Sequence, residues 1–141
     1  APSSPNVAAL IVAAGRGSRF GGALPKQYAR LGGRTVLART LDAFLSHERV
    51  TSVQVVIHAD DGPAYAAASA DAAGGKLRAP VTGGATRQAS VLRGLEALAG
   101  EGIDIVLIHD AARPFLSGAL IDAAIDAALA HAAAVPGAPV A

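Results

Sequence analysis

The segment Ala13-Ala14-Gly15-Arg16-Gly17-Ser18-Arg19 sets glycines and guanidinium groups side by side, and Lys26 follows a few residues later. Gly15 and Gly17 allow the backbone to turn successive N–H groups towards one anion with no side chain in the way, as a wrapped triphosphate would require. Arg19 and Lys26 are then candidate catalytic cations, because nucleotidyl transfer leaves a protein mainly the tasks of positioning groups and neutralising developing charge. Pro25 restricts the backbone just before that lysine. The same residues also suit an ordinary glycine turn flanked by surface cations. Lys26 is followed by Gln27 rather than Ser or Thr, and the glycine spacing differs, so this is not a Walker A loop. Phe20 stands where a dinucleotide fingerprint needs glycine, and the next acid, Asp42, falls inside a helical pattern.

Two more segments carry chemistry. In Thr82-Gly83-Gly84-Ala85-Thr86-Arg87-Gln88-Ala89-Ser90 the glycine amides and the Ser90 hydroxyl could read a base edge or receive phosphate. The structural alternative is a turn with Thr86 as N-cap. In His109-Asp110-Ala111-Ala112-Arg113-Pro114 an acid at a strand end could take a hydrated Mg²⁺ or a sugar hydroxyl, and Arg113 could grip a phosphate with its planar fork. An internal Asp110 to Arg113 ion pair closing the loop is the competing assignment. His109 is expected to pack or hydrogen-bond rather than act as a base, since a phosphate nucleophile is already ionised near neutral pH. His47, His58 and His131 are too scattered for a metal site.

The elements that must position these loops follow from periodicity. The continuous apolar runs Val7 to Val12, Val53 to Ile57 and Ile103 to Ile108 predict strands buried on both faces of a parallel sheet. Weaker strands are expected near Leu77 to Val81 and Ala133 to Val140. Helical patterns run from Thr35 to Ser46, from Pro63 to Ala73, from Thr86 to Ala99 with Gly100 as a stop, and from Ser117 as N-cap to His131. Alternating strands and helices predict an α/β fold, a Rossmann-like, mostly parallel sheet with helices on both faces. Ligands of such sheets bind beyond the carboxyl ends of the strands, where all three loops fall.

With 141 residues, 52% of them hydrophobic, the chain suits one domain with a real core and not two of ordinary size. The absence of cysteine removes disulfide and thiol chemistry. No apolar run approaches the roughly 20 residues that span a bilayer, so no membrane partner and a cytoplasmic location are expected. The net charge is only +1, yet Arg16, Arg19, Lys26, Arg30, Arg34 and Arg39 all precede the first acid, Asp42. The placement of the first of these among glycines favours an anionic ligand over a merely solvated basic face. With no aromatics interleaved, no nucleic-acid partner is expected. The tail from Val135 to Ala141 reads as a strand entering the sheet, so the single domain of residues 1–141 is expected to be incomplete at its C-terminus.

Taken together, Ala13-Ala14-Gly15 with Arg19, Pro25-Lys26-Gln27-Tyr28, Gly83-Gly84 with Arg87 and Ser90, and His-Asp-Ala-Ala-Arg-Pro at 109–114 resemble the 2-C-methyl-D-erythritol 4-phosphate cytidylyltransferases. The resemblance implies a nucleotide-diphospho-sugar transferase type of sheet, CTP with Mg²⁺, and attack of methylerythritol phosphate on the α-phosphorus with release of pyrophosphate. It implies that Arg19 and Lys26 stabilise the transition state, that Ala13, Ala14, Gly84 and Ser90 surround the cytidine, and that Gly15 lies against the phosphates, where the loop chemistry also puts Gly17. Asp110 would face the ribose or the metal, and Arg113 the sugar phosphate. A homodimer formed through an arm beyond residue 141 is also implied. Ala85 departs from the pattern, standing where some members carry an acid that touches the base. Readings that remain open are a sibling acting on ribitol 5-phosphate or another polyol phosphate, and an inactive nucleotide-binding fragment.

Overall fold

The computed structural model describes residues 5–14, 26–70, 72, 75–113 and 116–132. Its main sheet is wholly parallel, in the order β5-β4-β1-β6, with β1 Val7–Ala13, β4 Ser52–Ile57, β5 Val81–Thr82 and β6 Ile105–Asp110. Every residue of β1 is buried, which is why it reads as an unbroken apolar run rather than an alternating one.

Odd-numbered β1 residues Val7, Ala9, Ile11 and Ala13 share one core with Val53, Val55 and Ile57 of β4. That face is covered by α1 (Val36–Leu45), α2 (Gly62–Ala68) and α4 (Gly118–Ala132), through Leu37, Leu41 and Phe44, Tyr65, and Ile121 and Ile125 respectively. Even-numbered Leu10 and Val12 join Val56 and Ile108 on the other face, under Val91 and Leu95 of α3 (Arg87–Leu98). Helices therefore lie on both faces.

Local chemistry sets the helix ends. Thr35 Oγ1 accepts from Ala38 N–H at 3.0 Å, Thr86 Oγ1 from Ala89 N–H at 3.0 Å, and Ser117 Oγ from Leu120 N–H at 3.2 Å. Gly100, at φ +78°, takes the left-handed conformation just past α3. Several elements differ from the sequence pattern. α2 stops at Ala68 rather than near Ala73: Ser69 turns its hydroxyl back to the Tyr65 carbonyl at 2.8 Å, and Tyr65 is the only buried residue of the helix. Ala70, just beyond, is exposed, and alanine propensity alone does not sustain a helix. β6 starts and ends two residues later than Ile103 to Ile108, because Asp104 is engaged with Asn6 through its carboxylate (2.8 Å) and its N–H (2.8 Å). His109 and Asp110 are consequently strand residues, with Asp110 level with Val12. Leu77 contributes only an isolated bridge to Val53. The strand expected at Ala133 to Val140 lies outside the described residues.

Gln54 is a polar side chain in the middle of buried β4. Its Nε2 donates to the carbonyls of Ala79 (2.9 Å) and Val55 (3.1 Å), and its Oε1 accepts from Arg78 Nε (3.0 Å). Arg78 in turn reaches Glu101 and the Ala97 carbonyl near the end of α3, each at 3.2 Å.

The approach of α3 to the sheet depends on Gly94. A Cβ there would meet Leu10 Cδ1, and would lie 2.9 Å from Val56 Cγ2. Both neighbours are fully buried and cannot retreat. Gly94→Val is expected to lower stability by about 1–3 kcal/mol through overpacking, read as a reduced denaturant midpoint with an unchanged slope.

Candidate active site

The carboxyl ends of β5, β4 and β1 come level along the row Thr82, Ile57, Ala13, with Asp110 of β6 one step back beside Val12. The ends of β1, β5 and β6, from which the three loops start, thus lie along one edge of the sheet. Ala13 and Ala14 are buried, so they offer backbone rather than side chain. The Ala13 carbonyl accepts from Gln27 Nε2 at 2.8 Å, a buried bond. Gln27 lies in a 3-10 turn, Lys26–Tyr28, and thereby ties the backbone beside Lys26 to the end of β1. Gly15, Gly17, Arg19 and Pro25, together with the Lys26 side chain, lie outside the described residues.

The β5 loop packs directly on Ala14. A Cβ on Gly83 would lie 2.7 Å from the Ala14 Cβ and 2.5 Å from Ser90 Oγ, and one on Gly84 would lie 2.5 Å from the Ala89 Cβ. Glycine is required here by close approach. Gly83 N–H donates to the Ile57 carbonyl at 2.8 Å, and Gly84 N–H to Ser90 Oγ at 3.2 Å. Ser90 is buried, at 2% exposure, so in this structure its hydroxyl braces the loop from within. Thr86 is the N-cap of α3, as the turn interpretation of this segment requires. Ala85, by contrast, is exposed.

The β6 loop is built from three sides. Ala111 N–H continues the ladder to the Val12 carbonyl at 3.0 Å, and Arg113 N–H closes a turn on the Asp110 carbonyl at 3.2 Å. From α1, the fully buried Thr40 sets its Oγ1 3.3 Å from the Arg113 carbonyl and 3.4 Å from that of Ala111. His109 packs edge-on against Phe44, with ring centroids 5.5 Å apart, and its Nε2 meets the Arg113 carbonyl at 3.3 Å. Burial pushes the imidazole below its ordinary value of 6.5, outweighing the Arg113 carbonyl contact and the Asp110 charge that raise it. A neutral ring acting as a packing and hydrogen-bonding piece is the expected role of His109.

Asp110 pairs with Arg87, not with Arg113. Arg87 Nε meets Asp110 Oδ1 at 3.2 Å, both side chains being substantially exposed. This replaces the loop-closing ion pair considered from sequence; the loop is closed by backbone instead. Arg113 remains exposed. The other early cations divide by role: Arg30 donates to the Gly33 carbonyl at 2.7 Å, Arg34 pairs with Asp42, and Arg39 reaches the Gly32 carbonyl at 3.4 Å. These contacts hold the turn of the small hairpin of β2 (Arg30–Leu31) and β3 (Arg34–Thr35) and tie it to α1.

No group of three or more His, Cys, Asp or Glu able to hold a metal occurs among the described residues. A lone carboxylate is nonetheless a fitting partner for Mg²⁺, which commonly takes one or two carboxylates and fills its other positions with water and substrate phosphates. Asp110 is the described acid at the strand-end row, and its Oδ2 makes no hydrogen bond among the described residues.

Comparison with known proteins is consistent across three measures. A family model for 2-C-methyl-D-erythritol 4-phosphate cytidylyltransferase matches residues 7–141. The bifunctional enzyme IspD/IspF of Nitrobacter winogradskyi is 56% identical over 135 residues, covering 96% of this chain and 33% of that protein. The chain spans about a third of the length of the curated relatives it matches. The crystal structure of 4-diphosphocytidyl-2C-methyl-D-erythritol synthase from Anaerococcus prevotii superposes with a TM-score of 0.74 at 34% identity, covering 88% of this chain and 51% of that one. The Francisella tularensis 2-C-methyl-D-erythritol 4-phosphate cytidylyltransferase gives 0.66 at 31%, covering 86% and 51%. The α/β sheet expected from sequence is thus of the nucleotidyltransferase type.

Proposed function

From the premise that this chain belongs to the 2-C-methyl-D-erythritol 4-phosphate cytidylyltransferase family, we propose that it forms the nucleotide-binding domain of an enzyme that transfers cytidylyl from CTP to methylerythritol phosphate. The reaction would serve non-mevalonate isoprenoid biosynthesis. An oxygen of the acceptor phosphate forms a bond to the α-phosphorus of CTP, the bond to the β-phosphate oxygen breaks, and pyrophosphate leaves with that electron pair. The acceptor is already an anion, so no general base is needed.

The observation that carries this reading is the packing of Gly83 against Ala14 and Ser90, with Asp110 beside them at the ends of parallel strands. It leaves a surface of backbone rather than side chains, the kind of wall on which a flat base and ribose can lie. Gly84 and Ser90 shape the base side, Ala13 and Ala14 the floor, Gly15 and Gly17 the phosphate cradle, and Asp110 the ribose or metal side. Arg19 and Lys26 neutralise charge that grows on the transferring group, and Arg113 receives the acceptor phosphate. Mg²⁺, held by Asp110 together with the triphosphate, supplies further charge neutralisation when bound. A homodimer in the cytoplasm completes the proposal; absence of cysteine accords with a reducing compartment. Among the described residues no helix is long and apolar enough to cross a membrane.

Pyrophosphate release from CTP, measured with each acceptor in turn using the full-length protein, tests the assignment. Turnover with methylerythritol phosphate is expected. Turnover only with ribitol 5-phosphate or another polyol phosphate would move the chain to a sibling activity, and none with any acceptor would leave a nucleotide-binding module.

A further inference from the structure

Arg87 is the first residue of α3, directly after the Thr86 cap. A cation is poorly placed there, because the N-terminal end of a helix already carries partial positive charge. It is offset by Asp110 at the end of β6, 23 positions further along the chain. The pair therefore ties the start of α3, just after the β5 loop, to the end of β6. It is not a strong structural tie: the contact is a single Nε to Oδ1 approach of 3.2 Å rather than a two-pronged fork, with side-chain exposures of 59% and 40%. Exposed pairs of this kind contribute little to stability and open readily.

We propose that Arg87 is a displaceable counter-ion for Asp110, a positioning residue that competes with a divalent cation for the carboxylate. The inference rests on the cytidylyltransferase reading in giving Asp110 a metal to hold. Arg87 and the cation compete for one carboxylate, so loss of the guanidinium raises metal affinity. A purely structural Arg87 would do the reverse, since its removal would loosen the loops that present the ligand.

Mn²⁺ binding, followed by the loss of its free paramagnetic resonance signal, distinguishes these. The titration is run with Mn²⁺ alone and with CTP present but no acceptor, on variants whose folding is checked by circular dichroism. Arg87→Gln is expected to bind Mn²⁺ about two- to fivefold more tightly than the wild type, the range set by the strength of an exposed pair. Arg87→Lys, which keeps the charge, should stay near the wild-type value. Asp110→Asn should bind more weakly, and adding Arg87→Gln to it should change nothing further. Unchanged or weaker binding by Arg87→Gln overturns the proposal, as does an effect that persists without Asp110, or no binding of Mn²⁺ alone by either protein. Because the Mn²⁺-alone titration needs no turnover, these results stand apart from pyrophosphate release, whose absence would count against the cytidylyltransferase reading instead.

Discussion

Lys26→Ala is expected to lower cytidylyl transfer by about 10³-fold or more while leaving the protein folded. The backbone beside Lys26 is anchored through its neighbours. Its 3-10 turn is held by the Gln27 amide on the Ala13 carbonyl, and by Val36 N–H on the Ala29 carbonyl at 2.9 Å. Truncation should therefore remove a charge without moving the strand end. If that charge acts mainly on the transferring group, kcat falls much more than the KM for CTP rises. Pyrophosphate release by the full-length protein, alongside thermal melts of both forms, provides the check. Wild-type rates in a folded variant would sink the assignment of Lys26. A loss confined to KM would make it a binding group only.

Gly83→Ala should reduce kcat/KM by about 10²-fold through geometry alone. The added methyl falls within 2.7 Å of the Ala14 Cβ, an atom fixed to buried backbone, and 2.5 Å from Ser90 Oγ, which is already engaged with Gly84. The Ala14 Cβ cannot rotate aside, and Ser90 Oγ could do so only by giving up its bond from Gly84 N–H, so the loop must lift away from β1. That displaces the backbone wall proposed to carry the cytidine, with no change in charge. The measurements are CTP affinity by calorimetry and kcat/KM at several CTP concentrations. Affinity within twofold of wild type would show that the wall does not touch the nucleotide.

How far the sequence foretells this arrangement depends on the range of the interaction concerned. β1 and the core of β4 were legible because burial on both faces leaves an unbroken apolar run. Thr86, Ser117 and Gly100 were legible because caps and stops act within three or four residues. Gln27 is different: its sequence signal was only its place after Lys26, and its buried bond to Ala13 joins segments that meet through the fold. The same holds for the partner of Asp110, where Arg113 was near in sequence and Arg87 near in space. The β2–β3 hairpin left a trace in Gly32-Gly33, both at positive φ, which is the signature of a two-residue hairpin turn. The shortness of α2 left none, since alanine gives the same pattern whether or not a helix finds a core to lie on.

Gln54 has a consequence for folding fidelity. β5 is two residues long, and so short a ladder cannot choose its own alignment against β4. Sliding the incoming strand by one position would take the Ala79 carbonyl and Arg78 away from the Gln54 amide, leaving it only the Val55 carbonyl of its own strand and its buried Oε1 unanswered, at a cost of about 1–3 kcal/mol. Misaligned forms are thereby penalised several residues upstream of the glycines, and the amide acts as a key that admits one alignment of the strand delivering Gly83 to Ala14.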